Sequence, residues 1–372
     1  MKILVASDKF KGSLSASEAC DAIAEGIHEA IPEGSFEIRT LPIADGGDGM
    51  AATLTEVANG EWRIIEVQNA LGASTKAGYG LIKSGSIAVI EMAEASGLSQ
   101  LDDEKLDPWR ASTFGTGQLI ADAIGRGVQK IILGIGGSAT NDGGSGMAEA
   151  LGFQFLDQKG KPVSTMPERL DEVASITPPL GTSFPEVIVA CDVSNPLLGP
   201  DGCTQIYGPQ KGISPEAIGK HEARLECLMH LIGDAKLAEC SGAGAAGGLG
   251  FGAVAFLGAK LVPGFDLVAE MLQMEDAVSW ADLVITGEGK LDHQSLEGKA
   301  PFGITQMARR LGKSTAAFCG ILDGDGLESE FGPIFEIRRS DLSTSESMAR
   351  GAELLREASA KNALTLTSLN HV

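Results

Sequence analysis

The stretch that decides the fold runs from residue 131 to residue 152 and reads IILGIGGSATNDGGSGMAEALG. An apolar run, Ile131 to Leu133, leads into residues rich in Gly, Ser, Thr and Asn, and a segment with helical spacing follows. This order predicts a strand, a loop and a helix, with Asp142 as the helix N-cap and Gly152 just beyond the helix end. The stretch therefore indicates an α/β protein.

The loop in this stretch has the composition of an anion-binding loop. Glycines let the backbone approach a ligand, and the free N–H groups at a helix start favour a negative charge. The alternative is a tight strand-to-helix turn that binds nothing, although such a turn needs only one or two glycines. We predict a phosphate cradle formed by Gly136, Gly137, Ser138, Thr140, Asn141 and Asp142.

The length and net charge of the chain limit the number of domains and the kinds of partner that it can have. The chain has 372 residues, which suggests two domains, and a hydrophobic content of 43% is enough for full cores. The formal net charge of −21 argues against nucleic acid and anionic membranes as partners, because both require a basic face. A small anionic substrate is compatible with this net charge, because lysines and backbone N–H groups beside the substrate outweigh the electric field of distant acidic residues.

The cysteines and the first residues predict a cytoplasmic protein. The six cysteines form no CxxC pair, which favours free thiols in a reducing compartment. The opening residues MKILVASDKF read as a strand rather than an export signal, and no apolar run is long enough to cross a bilayer. The five histidines are scattered, which argues against a histidine-based zinc site.

Charged and polar residues follow several predicted strands. The strands are residues 2–7, 36–41, 186–190 and 282–286, and Ser15-x-x-Glu18 has the capping-box form of a helix start. Ligands bind at the carboxyl ends of the strands in open parallel sheets. The candidate residues at these ends are Asp8, Lys9, Lys11, Ser13, Asp45, Asp48, Asp192, Asn195, Glu288, Asp292 and Lys299.

These residue types suit phosphoryl transfer. Carboxylates hold Mg²⁺, lysines offset phosphate charge, and backbone N–H groups cradle the phosphate. Each residue also has a local interpretation as a solvated lysine, a turn carboxylate or a helix cap. Spacing alone therefore indicates a small-molecule enzyme, with phosphotransferase as one class.

The segment 62–91 predicts a second, mixed domain. Its strand-like runs at 62–68, 77–82 and 87–91 are separated by short turns, which favours antiparallel hairpins.

Two glycine motifs do not meet the requirements of nucleotide-binding motifs. Gly242-x-Gly244-x-x-Gly247 matches the dinucleotide fingerprint, but no buried strand precedes it, so we interpret it as a closely packed helix rather than a dehydrogenase site. Gly312-Lys313-Ser314 looks like the end of a P-loop, but Met307 stands where the first glycine is required.

Seven segments of the chain together resemble the bacterial type 1 glycerate kinases. The resemblance extends over almost the whole chain, in order. The segments are DKFKGSLSA (8–16), PIADGGDG (42–49), TFGTGQLI (113–120), GIGGSATNDGGSGMAEALG (134–152), CDVSNPLLGP (191–200), GAGAAGGLGFG (242–252) and DLVITGEGKLDHQSLEGKAP (282–301).

This resemblance implies a kinase that moves the γ-phosphoryl group of ATP to D-glycerate with Mg²⁺. It implies 2-phosphoglycerate as the product, with 3-phosphoglycerate as the alternative. It also implies a Rossmann-like parallel-sheet domain at 1–65 and 276–372, an inserted mixed α/β, flavodoxin-like domain at 66–275, and an active site in the cleft. A homodimer is one possible state, and a regulator that binds glycerate or nucleotide without catalysis is the alternative function.

Roles within the candidate set follow from side-chain chemistry. Asp192 suits a general base or an orienting group for the glycerate hydroxyl, and Lys11 and Asp45 complete the proposed catalytic set. We assign substrate binding to Asp8, Lys9, Ser13, Asn195 and Lys299, with the lysines meeting carboxylate or phosphate. We assign metal binding to Asp48, Glu288 and Asp292.

Overall fold

The computed structural model describes residues 1–32, 34–101, 106–181, 183–296 and 298–369. In these ranges the strands are β1 (Lys2–Val5), β2 (Glu37–Thr40), β3 (Glu61–Gln68), β4 (Ser74–Ile82), β5 (Ile87–Glu91), β6 (Lys130–Gly134), β7 (Gln154–Leu156), β8 (Ser175–Thr177), β9 (Glu186–Ala190), β10 (Lys260–Val262), β11 (Leu283–Asp292), β12 (Ser314–Asp323) and β13 (Ile334–Glu336).

The helices alternate with these strands along much of the chain, as an α/β fold requires. They are α1 (Ala16–Ala30), α2 (Met50–Val57), α3 (Ala93–Ser96), α4 (Phe114–Gly125), α5 (Ser145–Ala150), α6 (Cys203–Tyr207), α7 (Pro215–Ile232), α8 (Ala235–Ala238), α9 (Ala245–Leu257), α10 (Gly264–Met271), α11 (Met274–Trp280), α12 (Ala300–Arg310), α13 (Glu328–Phe331), α14 (Thr344–Ala349) and α15 (Gly351–Ser368). Short 3₁₀ segments span Leu98–Gln100, Pro167–Glu172, Pro209–Lys211 and His293–Leu296.

The chain divides into two compact units. The first comprises Met1–Asp45 and Phe265–Val372, and the second comprises Gly46–Gly264. Both boundaries lie earlier in the chain than the predicted ones at 65/66 and 275/276. The reason at the first boundary is that β3 pairs with β4, and α2 packs on β4, so both elements belong to the second unit. At the second boundary, the Phe265 ring packs against Gly303 of α12.

The first unit is built on a parallel sheet. Its strand order is β13-β12-β11-β1-β2, and each of these neighbouring pairs is parallel. The side chains of Ile3, Val5, Leu283 and Ile285 are completely buried, as expected for strands covered on both faces. Burying one such side chain contributes roughly 1.5–3 kcal/mol. The prediction of a parallel-sheet domain is confirmed.

Helix α1 begins where the sequence predicted. Ser15 is its N-cap, and its hydroxyl accepts a hydrogen bond from the Glu18 amide at 3.2 Å, while the Ser15 amide donates to Glu18 Oε2 at 2.9 Å. The helix packs on α15 so closely that a Cβ at Gly26 would clash with the carbonyl oxygen of Arg356. Gly26 therefore sets the distance between these two helices.

The second unit is built on a mixed sheet with the order β10-β9-β6-β5-β4-β3. Strands β3, β4 and β5 pair antiparallel, as the short turns predicted, whereas β5, β6, β9 and β10 pair parallel. Gly134 at the end of β6 is in register with Ala190 at the end of β9. The segments that follow these two strands therefore leave the sheet side by side, and this arrangement positions the candidate site.

Candidate active site

The loop after β6 is held by a buried carboxylate. Asp142 is fully buried; its Oδ2 accepts hydrogen bonds from the Thr113 amide at 2.7 Å and hydroxyl at 2.8 Å, and its Oδ1 accepts from the Gly144 amide at 3.1 Å. Burial raises the pKa of Asp142, and these hydrogen bonds act in the opposite direction. The N-cap of α5 is Gly144, so the prediction of Asp142 as N-cap is wrong. The Asp142 carboxylate still accepts hydrogen bonds from backbone amides at the start of this helix.

The predicted nucleotide loop divides into two parts in the structure. Asn141 is buried and donates from Nδ2 to the Thr204 hydroxyl at 3.0 Å, so Asn141 and Asp142 serve the interior of the loop. Gly136, Gly137 and Ser138 instead line a cavity. A ligand in this cavity thus meets the first half of the loop.

The cavity lies wholly within the second unit and has a volume of about 230 Å³. Its lining combines apolar residues with a few polar groups, as small-molecule sites do. It is lined by Gly46, Gly47, Leu98, Ile135, Gly136, Gly137, Ser138, Ala190, Cys191, Asp192, Val193, Tyr207, Gln210, Lys211, Ala245 and Ala246.

Asp192 occupies the segment that follows β9, where the sequence placed it. Its Oδ1 accepts a hydrogen bond from the Gly264 amide at 2.7 Å. Asn195 does not line the cavity; its Nδ2 donates to the Asp201 carbonyl at 2.8 Å, and its Oδ1 accepts from the Tyr207 hydroxyl at 2.7 Å. Asn195 therefore positions Tyr207, which lines the cavity.

Sequence reasoning missed Lys211, which lines the same cavity. Lys211 is only 2% exposed, and its Nζ donates to Ser138 Oγ and to the Thr140 carbonyl, both at 2.7 Å. Burial lowers the pKa of Lys211 to about 8, with opposing contributions from Cys203 and Asp142. Lys211 stands 73 residues from Ser138 in the sequence, and nothing in its neighbourhood marks it as part of a site.

Helix α9 packs closely against the loop after β6. The glycines at 242–247 predicted such a closely packed helix. A Cβ at Gly247 would clash with the Thr140 carbonyl, and a Cβ at Gly252 would lie 2.9 Å from Gly144 Cα. Ala246, Gly247 and Gly248 all adopt left-handed backbone angles. The glycines therefore serve close packing on the loop.

In the first unit, acidic side chains from the segments after β1 and β2 and from within β11 are electrostatically coupled. The Asp8 amide donates to the Gly287 carbonyl at 2.9 Å, which places Asp8 beside Glu288. Burial raises the pKa of Asp8 to about 7, and the negative charge of Asp45 adds to the rise. The predicted residues Asp8, Asp45 and Glu288 thus influence one another electrostatically.

Glu288 does not follow the strand end as predicted but lies within it. Strand β11 continues to Asp292 because it pairs with β12 over its whole length, and Glu288 is in register with Cys319. Lys299 Nζ donates to Glu288 Oε2 at 3.3 Å, whereas Oε1 is buried with no hydrogen-bond partner among the described residues. Burial raises the pKa of Glu288, and Lys299 opposes this rise.

Other predicted residues of the first unit have local contacts. Asp292 pairs with Lys290 at 3.1 Å and accepts from the Ser295 amide at 3.2 Å. Ser13 Oγ donates to the Met348 carbonyl at 2.6 Å. A Cβ at Gly289 would lie 3.2 Å from the Lys11 amide nitrogen, which places the backbone of Lys11 against β11.

Side-chain exposure distinguishes the remaining candidates. Lys9 and Asp45 are half-buried, and Lys11 and Asp48 are exposed. Within the described ranges, no group of three or more His, Cys, Asp or Glu side chains is arranged to hold a metal ion.

All six cysteines lie in described ranges and are free thiols, as the sequence predicted, whereas the reducing compartment stays a prediction. None of the helices in the described ranges combines the length and apolar character that a membrane span requires.

A cavity at the carboxyl ends of parallel strands, lined by a glycine loop, a carboxylate and a buried cation, is typical of α/β enzymes that act on small molecules. Comparison with known proteins identifies the family. The model of the glycerate kinase family matches residues 3–367, and the chain belongs to this family of kinases.

Individual relatives resemble the chain over nearly its whole length. A glycerate kinase from Halalkalibacterium halodurans is 41% identical, over 99% of this chain and 98% of that protein. A glycerate 2-kinase from Escherichia coli K12 is 39% identical, over 95% and 94%. A crystal structure assigned to a glycerate kinase 2 from Salmonella typhimurium LT2 has a TM-score of 0.89 and 37% identity, and each chain is covered completely.

Proposed function

We propose that this enzyme transfers the γ-phosphoryl group of ATP to D-glycerate, giving 2-phosphoglycerate and ADP with Mg²⁺ as cofactor. The family membership supports a glycerate kinase, and the relative from E. coli is named a glycerate 2-kinase. Transfer to the 3-hydroxyl is the alternative regiochemistry.

One observation carries the proposal: Asp192 and the loop residues Gly136, Gly137 and Ser138 line the same cavity. A carboxylate accepts a hydrogen bond from a substrate hydroxyl, and the loop offers close backbone approach to a phosphoryl group. The cavity therefore unites a group that can activate an acceptor with one that can hold the group transferred.

In the proposed reaction, the glycerate hydroxyl oxygen forms a bond to the γ-phosphorus. The bond between that phosphorus and the bridging oxygen breaks, and ADP leaves with the bonding electrons. Asp192 orients the hydroxyl and accepts its proton. Lys9, Lys11 and Lys299 are proposed to offset the charge of the anionic groups.

Glu288 is the proposed Mg²⁺ ligand with the clearest structural support. Its buried Oε1 has no hydrogen-bond partner among the described residues, and Asp45 lies close enough to raise its pKa. Protein sites for Mg²⁺ with nucleotides typically supply only one or two carboxylates, so a larger acidic group is not required. When bound, Mg²⁺ offsets the charge of the phosphate oxygens; Asp48 and Asp292 are further proposed ligands.

An assay of ADP release with ATP, Mg²⁺ and D-glycerate tests this function, with the product resolved by phosphorus NMR. A 2-phosphoglycerate signal is the expected result. A 3-phosphoglycerate signal would reverse the regiochemistry. If the folded protein binds glycerate or ATP but releases no ADP, the catalytically inactive regulator is the correct alternative.

A further inference from the structure

Lys211 is a buried cation without an ion pair. It is 2% exposed, and among the described residues no carboxylate oxygen lies within ion-pair distance of its ammonium. Burying an ammonium group without a counter-charge is costly, so such a residue is seldom a purely structural element. An anion bound beside Lys211 would supply the missing charge.

The hydrogen bonds of Lys211 are compatible with such a ligand. An ammonium has three N–H donors, and the described residues use two of them, through Ser138 Oγ and the Thr140 carbonyl. These two contacts fix the position of Nζ, and Ser138, which accepts one of them, also lines the cavity. The third donor is therefore available to a molecule inside the cavity, which Lys211 lines.

The lining of the cavity indicates the chemical class of this anion. Lys211 and Asp192 place a cation and a carboxylate on one enclosure of about 230 Å³. A hydroxy acid satisfies both, because its carboxylate meets the cation and its hydroxyl donates to the carboxylate. The triphosphate of ATP has no hydroxyl for Asp192, so we place its terminal phosphoryl group at the glycine loop and leave Lys211 and Asp192 to the hydroxy acid. The cavity is smaller than the roughly 300 Å³ or more of pockets for larger ligands, which suits a small acid.

We infer that Lys211 binds the carboxylate of D-glycerate in this cavity, an inference that rests on the proposed function. Lys211 then takes the role of carboxylate recognition for which Lys9, Lys11 and Lys299 were the candidates from sequence. The Ser138 hydroxyl acts as a positioning group, since it accepts a hydrogen bond from Nζ at 2.7 Å.

The test combines a change in the enzyme with a matching change in the substrate. Lys211→Met removes the charge with little change in shape, and Lys211→Gln keeps an N–H donor for Ser138 and Thr140. Steady-state rates are measured with D-glycerate and with D-glyceramide, which has the same hydroxyls but no carboxylate charge. The control is Lys220→Met, which removes an exposed lysine of α7.

Both Lys211 variants are expected to raise KM for D-glycerate roughly 10- to 100-fold, the range for a lost charged hydrogen bond. KM for ATP and the rate with D-glyceramide are expected to change less than about threefold, and Lys220→Met should match the wild type. Thermal unfolding is measured for each variant, and the inference is judged on any Lys211 variant that folds.

The outcomes separate this inference from the proposed function. No glycerate-dependent ADP release by the wild type would overturn the proposed function itself. An active wild type with an unchanged KM for D-glycerate in a folded Lys211 variant would overturn only the role of Lys211. A selective rise in KM for ATP would also overturn it, because the cation would then serve the nucleotide phosphates. If neither Lys211 variant folds, equal wild-type KM values for D-glycerate and D-glyceramide would overturn it.

Discussion

Thr113 and Asp142, which are 29 residues apart, are joined through two hydrogen bonds to a single carboxylate oxygen. The Thr113 hydroxyl also accepts a hydrogen bond from the Met147 amide at 2.8 Å. Thr113 thus connects the start of α4 to the loop after β6 and to helix α5. This connection holds Asp142 at the end of the loop, while Gly136, Gly137 and Ser138 at its beginning line the cavity.

We expect Thr113→Val to destabilise the protein, although valine has nearly the same shape. The substitution leaves the Met147 amide and the Asp142 carboxylate each short of one buried partner. Each unsatisfied group costs about 1–3 kcal/mol, so the free energy of unfolding should fall by roughly 2 kcal/mol or more. Denaturant unfolding measures this change, and Thr113→Ser, which keeps the hydroxyl, should retain most of the stability. Equal losses in the two variants would show that the methyl group, and not the hydrogen bonds, is responsible.

Asp192→Asn is expected to lower kcat by roughly 10²- to 10⁴-fold, the usual contribution of general base catalysis. The asparagine Oδ1 can still accept the hydrogen bond from the Gly264 amide, so the local fold should persist. Rates and substrate binding are measured together, with Asp201→Asn, an exposed carboxylate in the same segment, as the control. Near-normal turnover with intact binding would remove the role of base from Asp192.

Local signals account for the features that the sequence predicted correctly. The capping box at Ser15, the apolar strands β1, β6 and β9, and the short turns near β4 are all encoded by neighbouring residues. The position of Asp192 in the cavity lining has the same kind of local signal, since it comes two residues after the apolar strand β9, whereas its role stays a proposal.

Long-range packing accounts for what the sequence did not predict. Lys211 becomes part of the cavity only because its 3₁₀ segment packs beside Ser138. Asp142 looks like a ligand group in sequence, but its hydrogen bonds to Thr113 turn it inward. Glu288 lies between two glycines, which suggested a strand end, yet pairing with β12 extends the strand past it.

The lowered pKa of Lys211 predicts a pH dependence of glycerate binding. Burial lowers this pKa to about 8, so above pH 8 the amine is increasingly neutral and the carboxylate loses its counter-charge. KM for D-glycerate should rise about tenfold per pH unit above 8, while the rate with D-glyceramide should not follow this slope. Among the described residues, Asp142 and Cys203 are coupled to Lys211, and Cys191, Asp192 and Tyr207 line its cavity. Burial raises the pKa of the two thiols and the phenol.

The pH profile of KM is measured for the wild type and for Lys211→Met. The variant is expected to show a high KM without the slope above pH 8. Isothermal calorimetry in two buffers offers a second readout, because anion binding at pH 8.5 should take up a proton onto Lys211. A slope that persists in the variant would assign the titration to another group.

The buried side chain of His221 is expected to make the folded protein less stable in mild acid. Its ring is completely buried, its centroid lies 3.7 Å from that of Trp109 in a stacked arrangement, and neither ring nitrogen has a hydrogen-bond partner among the described residues. Burial lowers the pKa of His221 to about 4, and the positive charge of Arg224, which is paired with Asp171 at 2.5 Å, adds to this effect. The folded protein therefore holds the imidazole neutral.

Stability falls in acid because the pKa of His221 is lower in the folded chain than in the unfolded chain. The unfolded chain binds the proton near pH 6.5, and the folded chain only near pH 4, so stability decreases as pH falls from about 6.5 towards 4. His221→Phe keeps the stacking on Trp109 and removes the titration, so its melting temperature should decline less over this range than that of the wild type. His230→Gln, at an exposed site of the same helix, should follow the wild-type curve. Parallel curves for the wild type and His221→Phe would mean that the acid sensitivity arises from the carboxylates instead.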